Sequence, residues 1–540
     1  MDNRQAAAGG RPSSSGPRNS EVERIIAAAE VDTTFAGKKA RYRGRRSTWP
    51  GALGLFLVLV GSVVGLTYYG IKVHKDVKDT PASDAAIKNM YGSGHKIDDG
   101  RSGSGGEEDI DVVNPETFKD RKCEQPNYVS KNGKIVAVFK GGKEVTLTIK
   151  GANWFGMQDA KGVPKGLWDG PRDGSTIYRI GQFLKGNNFN AVRFPLSIDS
   201  AARNIEPASN LVNTNSNRAL EPSRYNKLLA SLVQGLGQFG IGVVLDFHVL
   251  SAVAKEDKDG LWTGTSVQLP DIKLAIKNLA TAMCDSKHFN VIGIDLKNFE
   301  DGTKATWGDG SNTDWAAAAT EIGDYVVDQC PKWLAFVQGV QGTSRKDTYS
   351  GDRSIKYKYW AGSDFSNVKK SPIKLATDNK VVYAPKFFTN SMLPQLFFFD
   401  NKASSGGMLA DYVESDDKTL TNNTQAAMDY MFGDTFDTGA AVVLSSFGGL
   451  TMDEDKTKKQ TSTRIISIIV DKILASKKPL AGGFWHELNP DTIWAYTAPD
   501  DANTTLSGLV DSSWRAANQN PLTALKKLDD SVINFIPCEK

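Results

Sequence analysis

The chain has 540 residues, of which 40% are hydrophobic, so it is long enough to bury the core of at least one large domain. Its 65 Lys and Arg residues nearly balance its 62 Asp and Glu residues, and the net charge of +3 is too small for this length to indicate nucleic-acid binding. No nucleic-acid-binding motif occurs in the sequence either, which leaves that class of partner without support.

The first predicted element is a membrane span. The segment from Ser47 to Ile71 contains no charged residue, and about 20 apolar residues in a helix cross a bilayer core of about 30 Å. We therefore predict a transmembrane helix at residues 48–71. A signal-peptide hydrophobic region is the alternative, but it would be shorter and closer to Met1.

The charges that flank this segment predict its orientation. Six Lys and Arg residues lie directly before it, whereas the three lysines after it are interleaved with aspartates. The positive-inside rule then places residues 1–47 in the cytoplasm, as a disordered tail, and the C-terminal domain outside the cell or in the secretory lumen. The sequence thus predicts a single-pass membrane protein.

The chain after the span divides into a stalk and an outer domain. Residues 72–118 are rich in Gly, Ser and charged side chains and are predicted to form a flexible stalk, which leaves 119–540 as the folded domain. Asn422 and Asn503 each begin an Asn-X-Thr triplet. In an exterior domain both are predicted glycosylation sites.

Four cysteines, all in the outer domain, predict disulfides, because disulfides persist outside the cytoplasm. Three pairings are possible. We favour Cys123 with Cys538, which would join the two ends of the domain, and Cys284 with Cys330, each at the end of a helix that leads into a strand. Free buried cysteines are the alternative.

Eight short apolar or β-branched runs recur through the outer domain, separated by segments whose apolar residues repeat at three- and four-residue intervals, as in amphipathic helices. The runs are 144–154, 190–195, 242–248, 291–298, 333–339, 380–386, 440–446 and 480–486. Eight alternations of strand and helix predict an α/β fold, a parallel (β/α)8 TIM barrel, with functional side chains at the C-terminal ends of the strands. A doubly wound open sheet is the alternative, but it normally has fewer strands.

The strand ends carry motifs in a particular order: GANWFG (151–156), NAVRFPLS (190–197), GVVLDFH (242–248), NVIGIDLKN (290–298), FVQGV (336–340), SSFGG (445–449) and FWHELNP (484–490). In this order they resemble glycoside hydrolase family 5, the cellulase-type family, over about residues 145–490. The resemblance implies a barrel that cleaves β-linked glucans or mannans with retention, through two glutamates about 5–5.5 Å apart. It implies no cofactor, and the sequence shows no metal or nucleotide site.

Neither family glutamate stands at its expected place. The family's acid follows the asparagine of the fourth strand, where this chain has Asn298, then Phe299, then Glu300. The family's nucleophile lies in Gly-Glu-Phe-Gly, where this chain has Ser446. Because the oxocarbenium-like transition state needs both a proton donor and a negative partner, the resemblance implies a degenerate catalytic centre.

Two other residues of the chain could replace the missing glutamates. Glu300 could serve as the acid, but a shift of one residue turns a side chain away from the barrel centre unless a bulge restores it. Ser446 could attack only with an adjacent base, such as Lys386 or His486. A neutral serine also lacks the charge that stabilises an oxocarbenium ion.

Other substitutions also indicate a degenerate catalytic centre. The family's glutamates at the first and fifth strands are replaced by Gln158 and Gln338, and its sixth-strand His and Tyr by Lys386 and Phe388. The mouth is predicted to have lost acids and gained a cation, which is unfavourable for a cationic transition state.

Several positions match the family. The resemblance implies that Arg193 orients the nucleophile and that His248 and Asn298 bind sugar or position carboxylates; purely structural roles are the alternative. Sugar faces pack on aromatic rings, and six tryptophans are candidates for a carbohydrate groove: Trp154, Trp168, Trp262, Trp307, Trp360 and Trp485. Trp485, followed by His486, is displaced by one residue from the family's platform.

Three hypotheses follow. The first is a membrane-anchored, catalytically degenerate barrel that binds β-glucan or another cell-wall polysaccharide; its protein partner is unknown. The second is an active hydrolase that uses Glu300 with a second carboxylate, for which the candidates are Glu487, Asp364 and Glu454. The third is an interaction module without a carbohydrate ligand. All share one structural expectation, a single barrel mouth surrounded by Arg193, His248, Asn298, Gln338, Lys386, Ser446 and His486.

Overall fold

The computed structural model describes residues 114–255, 258–341, 359–400, 413–490 and 507–540, the backbone of 345–349 and 353–357, and residues 53, 56–65 and 67. It divides into two compact units, 1–78 and 79–540. The predicted cytoplasmic tail 1–47, most of the predicted stalk 72–118 and the predicted glycosylation site Asn503 lie outside the described residues. Asn422 is described and lies exposed on a helix.

The first unit contains the predicted membrane span, 48–71, of which only part is described. Residues 56–65 are helical, and apolar side chains among them are exposed, including Phe56 at 62% and Val58 at 70%. In the part of the chain that the structure describes, no helix is both long and apolar enough to cross a membrane.

The first strands described in the second unit form an antiparallel sheet of three: β1 (Asn127–Lys131), β2 (Lys134–Val138) and β3 (Glu144–Leu147). Asn132 and Gly133 connect β1 and β2 with positive φ at both residues, the backbone of a tight hairpin turn. Tyr128 is fully buried and donates its hydroxyl to Phe289 O at 2.7 Å. The sheet thereby closes the N-terminal end of the barrel that follows.

The main sheet has parallel strands in the order β12-β14-β15-β4-β5-β6-β7-β8-β11-β13. β11 and β12 are separated only by Ala384 and Pro385, and β13 and β14 only by Val443, so each pair is one interrupted strand and the two ends of the order meet. The result is a closed barrel of eight strands, as predicted. Its strands are β4 (Ile149–Asn153), β5 (Ala191–Ser197), β6 (Gly242–Val249), β7 (Val291–Asp295), β8 (Leu334–Val337), β11 (Val381–Tyr383) with β12 (Lys386–Phe388), β13 (Ala441–Val442) with β14 (Leu444–Gly448), and β15 (Gly482–Trp485).

Helices surround the barrel, and a hairpin of β9 (Arg345–Tyr349) and β10 (Arg353–Tyr357) is inserted after β8. Each longer helix buries an apolar stripe against the strands, as its periodicity predicts. The described helices of the second unit are α1 (Ile177–Gly186), α2 (Ile198–Arg203), α3 (Tyr225–Gly237), α4 (Leu269–Met283), α5 (Trp315–Gln329), α6 (Asp417–Phe432), α7 (Thr461–Ile473) and α8 (Gln519–Ala524).

Apolar side chains fill the lower part of the barrel. Val244, Ile292, Phe336 and Phe484 belong to one buried cluster with the side chains of the three-stranded sheet. Polar side chains that include Arg193, Asp246 and Asp295 gather at the other end, where the strands terminate. We call this C-terminal end the mouth.

Both predicted disulfides are present, Cys123–Cys538 and Cys284–Cys330. The second joins the residues that end α4 and α5. The folded domain includes a few residues before the predicted start at 119. Phe118 is buried in the core, and the side chain of Asn114 accepts the backbone N–H of Tyr178 at 3.3 Å. These contacts, which local composition does not reveal, extend the folded domain to residue 114.

Candidate functional site

A buried arginine organises the floor of the mouth. Arg193, on β5, is 1% exposed. Its Nη2 lies 2.8 Å from Asp246 Oδ1 on β6 and 2.8 Å from Asp295 Oδ2 on β7, and its Nη1 donates to Asn153 Oδ1 on β4 at 2.9 Å. Because a buried charge is stable only when paired, these four residues act as one unit across four adjacent strands.

The two carboxylates of this unit differ in acidity. Burial raises the pKa of Asp295 to about 6, even though Arg193 opposes the shift. Burial also acts to raise the pKa of Asp246, but Arg193 and the imidazole of His248, whose Nδ1 lies 2.6 Å from Asp246 Oδ2, outweigh it and leave the pKa below its ordinary value. Both carboxyl groups are therefore largely ionised at neutral pH, and Asp295 is the one that takes up a proton first as the pH falls.

The raised pKa of Asp295 predicts a pH dependence of stability. Its folded pKa of about 6 lies above the ordinary value of 3.8, so the folded state binds the proton more tightly and this residue's contribution to stability falls as pH rises between these values. We expect the unfolding free energy of wild type to fall relative to that of Asp295→Asn across this window. Urea unfolding of both proteins at several pH values measures the difference; a constant difference would contradict the prediction.

The segment after β7 is held by side chains from two other strands. Phe299 N donates to Gln338 Oε1 at 3.2 Å, and Phe299 O accepts from Lys386 Nζ at 2.6 Å. Gln338 Nε2 donates to Asp295 Oδ2 at 3.1 Å, which ties this segment to the arginine unit. Three of the expected mouth residues, Arg193, Gln338 and Lys386, are thus linked in one network.

The side chain at position 299 is an apolar group in a closed environment. The Phe299 ring is fully buried and meets Trp315 edge-on, with 5.1 Å between ring centroids. Glu300 follows as an exposed residue. The carboxylate that the second hypothesis needs therefore lies in solvent. Of its proposed partners, Glu487 is buried, Asp364 pairs through its backbone with Val340, and Glu454 ends a short 3-10 turn.

Ser446 lies on β14, between two polar side chains. Its Oγ is 3.4 Å from His486 Nδ1 and 3.4 Å from Asn153 Nδ2. Burial, with the nearby charges of His248 and Lys386, lowers the pKa of His486 to about 3, so its imidazole is neutral. A base that activates a serine normally lies within about 2.6–3.2 Å of it. The observed contact is longer, and it favours a hydrogen-bonded serine over a nucleophile.

Several tryptophans that were predicted to line a carbohydrate groove are buried. Trp154 and Trp485 are fully buried and Trp307 is 5% exposed; their indole N–H groups donate to backbone carbonyls. These three predicted groove residues therefore belong to the core, because packed neighbours cover their ring faces. Trp360 is also buried, whereas Trp168 and Trp262 are partly exposed. The ring centroid of Trp262 lies 5.4 Å from that of Trp315, which packs against Phe299.

The structure brings six of the seven expected mouth residues together. His248 and Gln338 reach Arg193 through the two aspartates. Ser446 reaches Arg193 through Asn153 and contacts His486. Lys386 binds the carbonyl of Phe299, the residue after Asn298, which takes part through its backbone. Sequence reasoning missed Asn153, Asp246 and Asp295 as members of the site. It also missed Lys297, whose Nζ donates to Asn298 O at 2.6 Å and to His248 O at 3.3 Å. Their signal was present, since each lies within a strand-end motif already noted for other residues.

A comparison with protein families matches residues 140–477 to Cellulase, glycosyl hydrolase family 5. The chain belongs to this family. Among curated relatives, an endoglucanase of Paenibacillus polymyxa is 29% identical over 277 residues, which cover 51% of this chain and 63% of that protein. The major extracellular endoglucanase of Xanthomonas campestris pv. campestris is 25% identical over 405 residues, 74% of this chain and 71% of that protein.

Solved structures agree with the family 5 assignment. An endocellulase of the archaeon Pyrococcus horikoshii has 25% sequence identity and a TM-score of 0.58, over 75% of this chain and 98% of that one. A complex of a variant of that endocellulase with cellotetraose gives the same TM-score of 0.58.

Retaining hydrolysis in family 5 requires one carboxyl group as acid and another as nucleophile. Asp246 and Asp295 are carboxylates of this mouth, but they are 0% and 1% exposed and share one guanidinium. A sugar ring cannot reach them there. Among the described residues, no group of three or more His, Cys, Asp or Glu side chains is arranged to hold a metal ion.

Proposed function

We propose that this family 5 barrel binds β-glucan and does not hydrolyse it. The observation that carries the proposal is the environment of Phe299, a buried phenyl ring at the place where the family resemblance predicts the catalytic acid. Ser446, at the predicted nucleophile position, is neutral and hydrogen-bonded. Without an acid and a negative partner, neither half of the retaining reaction proceeds.

Binding of β-glucan is supported by relatives and by local chemistry. The curated relatives are endoglucanases, and the Pyrococcus horikoshii endocellulase forms a complex with cellotetraose. Trp262 offers a partly exposed indole next to the mouth, and indole rings pack well on the apolar faces of sugars. The polar groups of His248, Ser446 and His486 can fix the orientation of a bound chain.

We further propose that residues 48–71 anchor the protein in a membrane, with residues 1–47 in the cytoplasm and the barrel outside. The apolar side chains of 56–65 are exposed, and a continuous exposed apolar surface is unfavourable in water. The two disulfides fit an oxidising exterior compartment. Carbonate extraction of membranes tests the anchor, and protease treatment of separate, intact sealed vesicles tests its orientation.

Hydrolysis is tested directly with the purified full-length chain. We expect no release of reducing sugar from soluble β-glucans by wild type or by Glu300→Gln, although both are retained in affinity electrophoresis through immobilised glucan. Hydrolysis by wild type that disappears in Glu300→Gln would establish the active-enzyme hypothesis. Absence of both hydrolysis and retention would favour an interaction module without a carbohydrate ligand.

A further inference from the structure

Lys386 is a cation of the mouth with an unusual set of contacts. It begins β12, is partly buried, and donates from Nζ to the carbonyl of Phe299 at 2.6 Å. Among the described residues no carboxylate lies within 4 Å of this ammonium group. A backbone carbonyl satisfies one of its three N–H donors but does not neutralise its charge.

Charges of both signs surround Lys386. The charged groups that act on Lys386 are two cations, Arg193 and Lys297, and two carboxylates, Asp246 and Asp295. Both carboxylates are bound to Arg193. His248 and His486 add no positive charge at neutral pH, because burial lowers the pKa of each imidazole.

Lys386 also lies next to the place where the family resemblance predicts the nucleophile. The parallel pairing of β12 with β14 aligns Lys386 with Ser446. A retaining enzyme would present a carboxylate at that position to the sugar. Here the protein presents a hydroxyl and an ammonium group, so the missing negative charge has to come from the ligand for the site to be electrically complementary.

We propose that the mouth binds a glycan that carries a carboxylate, such as a glycuronic acid residue in or at the end of a β-linked chain, with Lys386 as its cationic partner. The inference rests on the proposed glycan-binding function and deepens it by naming an acidic sugar. Lys386 is partly buried, and an ion pair formed away from bulk water is stronger than one at the surface; burial also lowers the pKa of Lys386 to about 8. At pH 7 the group remains protonated.

The test compares two probes by calorimetry with the full-length chain at pH 7 and low salt. The probes are a neutral cello-oligosaccharide and one of the same length that ends in glucuronate. We expect wild type to bind the acidic probe about tenfold more tightly than the neutral probe, which is the gain in affinity that one charge-assisted hydrogen bond provides. This ratio should decrease as salt is added and should approach one in Lys386→Met.

Lys380 provides a matched control on the same barrel strand. It lies near the opposite end of that strand, its pKa is likewise lowered to about 8 by burial, and its Nζ donates to Asn127 Oδ1 and Tyr128 O at 2.7 Å each. Lys380→Met should keep the preference for the acidic probe. Lys386→Arg retains the positive charge and should keep most of the preference for the acidic probe. It therefore distinguishes loss of the charge from misfolding of the methionine variant.

The outcomes separate this inference from the proposed function. Equal affinities in wild type, or an unchanged ratio in Lys386→Met, would overturn the inference while neutral binding still supported the proposed function. Binding of the acidic probe alone would support the inference and show that neutral β-glucan is the wrong ligand. Binding of neither probe would overturn both.

Discussion

Replacing Arg193 with methionine is expected to destabilise the barrel by about 3–5 kcal/mol, the cost of leaving a buried carboxylate without its partner. Arg193 is the cation that both Asp246 and Asp295 contact at 2.8 Å, and those side chains are 0% and 1% exposed. Urea unfolding of the full-length chain, followed by tryptophan fluorescence, measures the loss.

The control for this prediction is an exposed arginine in an ion pair. Arg203 has a side-chain exposure of 69% and pairs with Asp199 one helical turn away; Arg203→Met should cost less than about 1 kcal/mol, because water screens such pairs. Adding Asp246→Asn and Asp295→Asn to Arg193→Met should restore part of the stability, since the three groups act as a unit. Equal losses in Arg193→Met and Arg203→Met would contradict the proposed network.

Restoration of hydrolysis is the second large effect that we expect. Phe299→Glu with Ser446→Glu supplies both groups of a retaining mechanism, and general acid catalysis alone contributes about 10²–10⁴-fold. Each single variant should remain inactive, because each supplies only the acid or only the nucleophile. The measurement is release of reducing sugar from soluble β-glucan, with the anomer of the first product identified by NMR.

Two lysines near position 299 would affect the restored activity. The ammonium groups of Lys386, bound to Phe299 O at 2.6 Å, and of Lys297, 6.0 Å from the Phe299 ring centroid, would lower the pKa of a carboxyl group at position 299. A general acid must be protonated near the working pH. We therefore expect Lys386→His, which introduces the family's residue, to raise the activity of the double variant.

Two outcomes would contradict the predicted restoration of retaining hydrolysis. Activity in Phe299→Glu alone, or inversion instead of retention, would show that the chain uses another carboxylate of its own. Full activity is not expected even in the triple variant, because Gln338 still replaces a family glutamate and Trp485 is buried in the core. The added carboxylate at 299 also removes a packed ring, so stability must be measured alongside activity.

The sequence by itself determined the scaffold. Alternation of buried strands with amphipathic helices is a local property of the chain, and it predicted the closed barrel of eight strands. Both cysteine pairs also followed from where each cysteine lies relative to those elements. The motifs at the strand ends placed Arg193, His248, Lys386 and Ser446 around one mouth, because parallel strands end at the same edge.

Only the tertiary structure decided which groups at that mouth are available. Arg193 meets Asp295 across 102 positions of sequence, and Lys386 meets Phe299 across 87. Such partners depend on strand register and on loop packing, which no local pattern encodes. For the same reason the sequence could propose Trp154 and Trp485 as sugar platforms, whereas packing of neighbouring side chains over their rings placed both in the core.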